Sequence, residues 1–208
     1  MVIVTAYFIK SAPHPRDFVA DTGREVAIVG RSNSGKSSAI NAILGNQKLA
    51  RVSKTPGRTQ LVNFFGLGED IRFVDLPGYG FARVAPEVRR GWQALMHGYF
   101  ESRRSLRGLL ITVDIRRGLM DLDATMLAWA ADLEIPVVVL ATKADKLSRN
   151  AGMKAVREMQ EAAAVPVCRF SALSKIGIDA ARSHVEDWLK QQESGPGHDD
   201  QGTRPGPK

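Results

Sequence analysis

The stretch that decides the fold is Glu25-Val26-Ala27-Ile28-Val29-Gly30-Arg31-Ser32-Asn33-Ser34-Gly35-Lys36-Ser37. Its first five residues form a short apolar run with a single charge, of the kind a buried strand shows. The eight from Gly30 to Ser37 fit Gly-x-x-x-x-Gly-Lys-Ser in full, and a helix is predicted over Lys36–Leu44. Strand, glycine-rich loop and helix in that order make a phosphate cradle. Glycines let the main chain wrap an anion, and the loop amides and helix N-terminus supply positive potential. Lys36 is placed to reach the β- and γ-phosphates of a nucleotide, and the Ser37 hydroxyl to ligate Mg²⁺.

Outward from the cradle, strand-like and helix-like segments alternate. Strands are predicted at Val26–Val29, Gln60–Phe65, Ile71–Asp75, Leu109–Asp114, Val137–Ala141 and Val165–Phe170. Helices are predicted at Lys36–Leu44, Pro86–Glu101, Leu122–Leu133, Ala151–Ala163 and Ile178–Lys190. That alternation indicates an α/β fold with a mostly parallel sheet covered by helices on both faces. Only Gly66-Leu67-Gly68-Glu69-Asp70 separates the second and third strands, too little for a parallel crossover, so they form an antiparallel hairpin. The expectation is a six-stranded sheet with one antiparallel edge strand.

The chain has 208 residues, with 29 Lys+Arg against 22 Asp+Glu, a net charge of +7. With 44% hydrophobic and 25% charged residues, it has the composition of a globular protein and not of a collagen or a disordered chain. The single Cys168 excludes an internal disulfide and a cysteine zinc site, and suits a reducing cytosol. No apolar run reaches the ~18 residues of a membrane span, and neither terminus carries a lipidation signal. A soluble, cytoplasmic, monomeric protein without a membrane anchor is expected. Residues 1–21 are expected to form an N-terminal arm with one strand near Val4–Ile9, and residues 22–190 the nucleotide-binding domain. The glycine- and proline-rich 191–208 stretch is expected to be a disordered tail.

Three further segments lie where such a sheet places its ligands, at the carboxyl ends of strands. Asp75-Leu76-Pro77-Gly78 follows one strand: Asp75 can hold Mg²⁺ through water, and the Gly78 amide can approach a γ-phosphate unobstructed. Upstream, Lys54-Thr55-Pro56-Gly57-Arg58-Thr59-Gln60 offers two threonines, Thr55 and Thr59, either of which could complete a Mg²⁺ shell. Thr142-Lys143-Ala144-Asp145 closes another strand. A guanine edge presents N1–H and an amino group, two donors that one carboxylate accepts together, so Asp145 would select GTP over ATP. Phe170-Ser171-Ala172 places small residues where a backbone amide could meet the guanine oxygen.

These elements, in this order, resemble the translation-factor-related class of P-loop GTPases. The runs Ser53–Phe65 (SKTPGRTQLVNFF) and Asp75–Ala82 (DLPGYGFA) resemble the EngB (YihA/YsxC) family of bacterial GTPases more narrowly, over about residues 8–190. The resemblance implies a three-layer P-loop GTPase G-domain that hydrolyses GTP to GDP. It also implies a role in large-ribosomal-subunit assembly, with the 50S subunit or its precursor and rRNA as partners, and a requirement in normal septation. By matching position it implies nucleotide contacts at Gly30, Arg31, Ser32, Asn33, Ser34, Gly35, Lys36 and Ser37, and at Gly57, Arg58, Thr59, Gln60 and Leu61. It adds Asp75, Leu76, Pro77 and Gly78, then Thr142, Lys143, Ala144 and Asp145, and finally Phe170, Ser171 and Ala172. Mg²⁺ would be held by Ser37 and Thr59, and Lys36, Thr59 and Gly78 would serve catalysis.

Two departures from common GTPases bear on mechanism. Tyr79 follows the Gly78 position where many carry a glutamine; it is either a poorer water ligand, implying slow intrinsic hydrolysis, or a packing residue. Asn33 lies where K⁺-activated GTPases hold the cation, or else stabilises a loop turn. Residues 81–117 hold eight arginines, at 83, 89, 90, 103, 104, 107, 116 and 117, against three acids, a net +5. Val88, Trp92, Leu95 and Tyr99 form a helical stripe that leaves Arg89, Arg90 and Arg103 to face solvent, as an rRNA-phosphate contact or as an ordinary solvated face. A signalling or septum-associated GTPase acting on a protein partner is the alternative function, and a P-loop kinase or ATPase the third.

Overall fold

The computed structural model of the chain describes residues 5–50, 61–80 and 86–190. Among the described residues, seven strands form one sheet: β1 (Tyr7–Ala12), β2 (Arg24–Gly30), β3 (Val62–Gly68), β4 (Ile71–Asp75), β5 (Leu106–Asp114), β6 (Val137–Thr142) and β7 (Val167–Arg169). Their order across the sheet is β1-β3-β4-β2-β5-β6-β7. The described α-helices are α1 (Lys36–Ile43), α2 (Pro86–Ser102), α3 (Asp121–Asp132), α4 (Arg149–Ala163) and α5 (Ile178–Lys190). No described helix is long and apolar enough to cross a membrane.

The hairpin is as expected: β3 and β4 run antiparallel, with Gly68 opposite Ile71. The strand count is not. β1 pairs antiparallel with β3 from Tyr7–Gly66 to Ala12–Val62, so the arm supplies a seventh strand and β3 is not an edge. The physical reason lies at Gly66, where a Cβ would sit 2.3 Å from Tyr7 Cζ: the missing side chain lets the Tyr7 ring lie over β3.

Alternation along β2 divides the core. Ala27 and Val29 face α2 and α3, where Leu95, Met96, Tyr99, Phe100 and Met126 are buried. Val26 and Ile28 face α1 and α5, where Ile40, Ile43, Val185, Trp188 and Leu189 are buried. Both faces of the sheet are thus covered, as parallel sheets require, and loops are left to gather at the carboxyl ends of β2, β4, β6 and β7.

At the opposite end of the sheet Glu25 is fully buried. It accepts from Arg72 Nε at 2.6 Å, Arg103 Nε at 3.2 Å and the Tyr99 hydroxyl at 3.1 Å. Arg103 also donates to the Val19 carbonyl at 2.7 Å. This corrects the expectation that Arg103 faces solvent. Leu95 and Tyr99 are buried and Val88 and Trp92 half-buried, as the stripe predicts, but Arg103 follows the helix and turns inward to the carboxylate.

Candidate functional site

The cradle spans the gap between the end of β2 and the start of α1. Asn33 and Gly35 adopt left-handed φ of 63° and 96°, which turn the chain around the space a phosphate would fill. Gly30 has no room for a side chain, since a Cβ there would meet Thr112 Oγ1 at 2.0 Å. Ser34 is buried, and its hydroxyl shares a 2.6 Å hydrogen bond with that same Thr112 Oγ1. Arg31 sends its guanidinium to the Met120 sulfur at the head of α3, so its own approach to the cradle is through the main chain.

Lys36 and Ser37 open α1 and are half-buried. Lys36 Nζ forms an ion pair with Asp75 Oδ1, and Asp75 Oδ2 accepts from Asn63 Nδ2 at 3.1 Å. Leu76 and Pro77 are buried behind it, and a Cβ on Gly78 would lie 3.0 Å from the Gly30 carbonyl. Sensor and cradle are therefore in backbone contact. The available donors are hard oxygens, the Ser37 hydroxyl and the Asp75 carboxylate. No described cluster of three or more His, Cys, Asp or Glu could hold a metal. That donor set fits Mg²⁺, which binds few protein oxygens and takes the rest from phosphate and water.

The third element braces the first. Thr142 Oγ1 donates to the Ser34 carbonyl, and Lys143 Nζ donates to the Asn33 carbonyl at 2.7 Å. Lys143 is left-handed, with φ 57°, which turns the chain off β6 so that Ala144 is buried and Asp145 stands at the rim. The Ser171 hydroxyl donates to Asp145 Oδ1 at 2.7 Å, and Lys146 lies 3.3 Å from Oδ2. The Ser171 hydrogen bond, aided by Lys146, holds the Asp145 carboxyl below its ordinary value against the opposing effect of burial. It therefore stays an acceptor at neutral pH. Phe170 contributes its backbone: its carbonyl accepts from Ala144 N at 3.0 Å while its ring is buried in the core. Ala172 follows half-buried, and Leu61 is half-buried ahead of β3. Thr55, Gly57, Arg58, Thr59 and Gln60 lie outside the described residues.

A family described as 50S ribosome-binding GTPase matches residues 25–143. A probable GTP-binding protein EngB from Sodalis glossinidius (strain morsitans) is 47% identical over 188 residues, spanning 88% of this chain and 89% of that one. The chain belongs to the EngB family. A crystal structure of a probable GTP-binding protein engB shares the fold, with TM-score 0.66 at 22% identity, over 81% of this chain and 100% of that one. The S. thermophilus NFeoB structure bound to GDP·AlF₄⁻ and K⁺ has TM-score 0.55 at 27% identity, over 78% of this chain and 61% of that one.

Within this EngB-family site, three residues were missed in sequence. Thr112 sits on β5 beneath the cradle; Asn63 holds Asp75 from β3; Asp114 ends β5 and lies 2.9 Å from Lys143 Nζ. Arg116 also grips Asp114, at 2.7 Å, and these hydrogen bonds, Arg116 first and then Lys143, hold its carboxyl far below the usual range despite its burial. A signal existed for Asp114, since an acid at the carboxyl end of an apolar strand lies on the ligand side of such a sheet. None existed for Thr112, whose contact with Ser34 joins residues 78 apart in sequence and forms only once β5 packs beside β2. Tyr79 is buried and aims away from the cradle, its hydroxyl donating to Asp123 Oδ1 on α3 at 2.7 Å. Of its two readings, the packing one describes this structure.

Proposed function

We propose that this EngB-family protein is a cytoplasmic, monomeric, Mg²⁺-dependent GTP hydrolase that acts as a switch in large-ribosomal-subunit assembly and is needed for normal septation. One observation carries the GTP reading. Lys36 at the start of α1 pairs with Asp75 at the end of β4, and the cradle carbonyls of Asn33 and Ser34 are tied to Lys143 and Thr142, the residues that lead to Asp145. Phosphate reader and base reader are thus joined by hydrogen bonds.

In this reading the ionised Asp145 accepts from guanine N1–H and the amino group, and Ser171 fixes its orientation. Phe170 and Ala172 frame the base, and Lys143 packs along it. The loop amides from Gly30 to Gly35 receive the β-phosphate, and Lys36 exchanges Asp75 for phosphate oxygens. Asp75, released by that exchange, would orient water beside a bound Mg²⁺ that Ser37 and Thr59 would hold directly. Bound Mg²⁺ supplies charge neutralisation of the phosphate oxygens. The Gly78 amide marks the γ-phosphate, flanked by Leu76 and Pro77, while Gly57, Arg58, Gln60 and Leu61 line the same side. With the Tyr79 phenol engaged by Asp123, no side chain at that position orients the attacking water, so intrinsic hydrolysis is slow. K⁺ beside Asn33 is the second element, supported by the cation named with NFeoB, which is 27% identical. At fixed ionic strength KCl should accelerate hydrolysis over NaCl; equal rates would remove K⁺ from the scheme.

The 50S assignment rests on the family description and on the basic segment. Arg89, Arg90, Arg104, Arg116 and Arg117 are exposed there, which suits rRNA phosphates. Co-sedimentation with 50S subunits tests it. The GTP-analogue state should bind more tightly than the GDP state, and binding should weaken steeply with salt. Equal, salt-insensitive binding in both states would contradict it and favour a protein partner.

A further inference from the structure

The buried carboxylate of Asp123 stands one hydrogen bond from Tyr79, the residue that follows the γ-phosphate sensor Gly78. Asp123 is fully buried near the start of α3. One carboxylate oxygen accepts from the Tyr79 hydroxyl at 2.7 Å, and the other from Met120 N at 3.0 Å, closing the first turn of the helix. Burial pushes its carboxyl above the ordinary range, and burial likewise drives the Tyr79 phenol far upward, so a neutral phenol donates to the acid.

Tyr79 is held on its backbone too. Its N–H donates to the Gly30 carbonyl at 3.2 Å and its carbonyl accepts from Ser32 N at 2.9 Å, a short ladder between the 78–80 segment and the cradle. On the other side of Gly78, Trp92 Nε1 donates to the Pro77 carbonyl at 3.2 Å, and the Trp92 and Tyr79 rings meet edge to face. Gly78 therefore sits between two residues that α2 and α3 hold in place. Glycine alone leaves its peptide free to turn; these anchors restrict that freedom to the one unit that must meet the γ-phosphate.

The geometry points to Asp123 as a positioning residue for hydrolysis, acting through Tyr79 to hold the Gly78 peptide in register with the cradle. The inference rests on the GTP-hydrolysis reading and goes beyond it by naming α3 as part of the catalytic frame. Its signature is selective: the chemical step depends on the hydrogen bond, whereas GDP affinity does not, because GDP has no γ-phosphate to meet Gly78.

Single-turnover GTP hydrolysis and GDP affinity separate the two. Tyr79→Phe should lower the rate about tenfold and leave GDP affinity within twofold. Asp123→Asn keeps one acceptor oxygen, for the phenol or for Met120 N–H but not for both, and should lose less rate than Asp123→Leu, which should match Tyr79→Phe. An unchanged rate in Tyr79→Phe, or equal losses of rate and GDP affinity, would overturn the latch. Wild-type protein that binds no GTP would instead refute the reading of the site. For variants that do not fold, amide exchange on the wild-type chain replaces them. Protection at Tyr79–Gly80 and at Asp123–Ala124 should change together between the GDP and GTP-analogue states; independent change would overturn the proposal.

Discussion

The two ends of the sheet hold their charges differently. At the amino end, Glu25 is fully buried and shared by Arg72 and Arg103, both themselves buried, with the Tyr99 hydroxyl as a further donor. At the carboxyl end, Lys36–Asp75 and Lys143–Asp114 are ion pairs whose lysines remain half-buried, and Asp145 stands at the rim. A fully desolvated charge that loses its partner has nowhere to go, so the first network is fixed for the life of the fold. Lysines at a rim can exchange one anion for another at little cost. One end anchors α2 and the arm, and the other can open for a ligand.

The largest expected effect breaks the fixed end. Glu25→Ala leaves Arg72 buried without its carboxylate and Arg103 with only Asp21, 3.6 Å away, and should cost about 3–5 kcal/mol of stability, read from urea unfolding. A loss near zero would mean that water enters this end freely and that the contrast between the ends is wrong.

A smaller effect sharpens the exchangeable end. Asp114→Asn removes the carboxylate that Arg116 and Lys143 share and should cost about 1–2 kcal/mol at pH 7. Because the folded pKa of Asp114 is depressed, its contribution is complete above the unfolded value of about 3.9 and fades as pH falls through the lower folded pKa. The variant and the wild type should therefore converge in acid. A difference that stays constant from pH 7 into strong acid would show that Asp114 acts by packing alone.

This contrast also marks what could be read in advance. The rim was legible because its chemistry is local: Gly30–Ser37, Asp75–Gly78 and Thr142–Asp145 each follow an apolar strand, and each strand ends where a parallel sheet must place its ligands. The amino-end network was not, because Glu25, Arg72 and Arg103 come together only once β2, β4 and α2 are packed. Arg103 lies four residues past Tyr99, on the side of the stripe itself, and only its charge argued for solvent; the sequence does not register the Glu25 carboxylate that receives it there. The edge strand β1 was only half legible. Tyr7, Phe8 and Ile9 are consecutive apolar residues without alternation, all exposed, and their register depends on the bare surface of Gly66. Asp123 escaped for a third reason: an acid in the first turn of a helix ordinarily serves the helix alone.

In the proposed function the carboxyl end reads a guanine nucleotide, with Asp145 as the base reader. Binding of GTP and xanthosine triphosphate to the wild type and to Asp145→Asn, with Mg²⁺ present, tests it most directly. The variant should lose GTP affinity by about 100-fold, the scale of leaving buried hydrogen-bonding groups mismatched, and gain affinity for xanthosine triphosphate. Unchanged GTP affinity in a folded Asp145→Asn protein would contradict it.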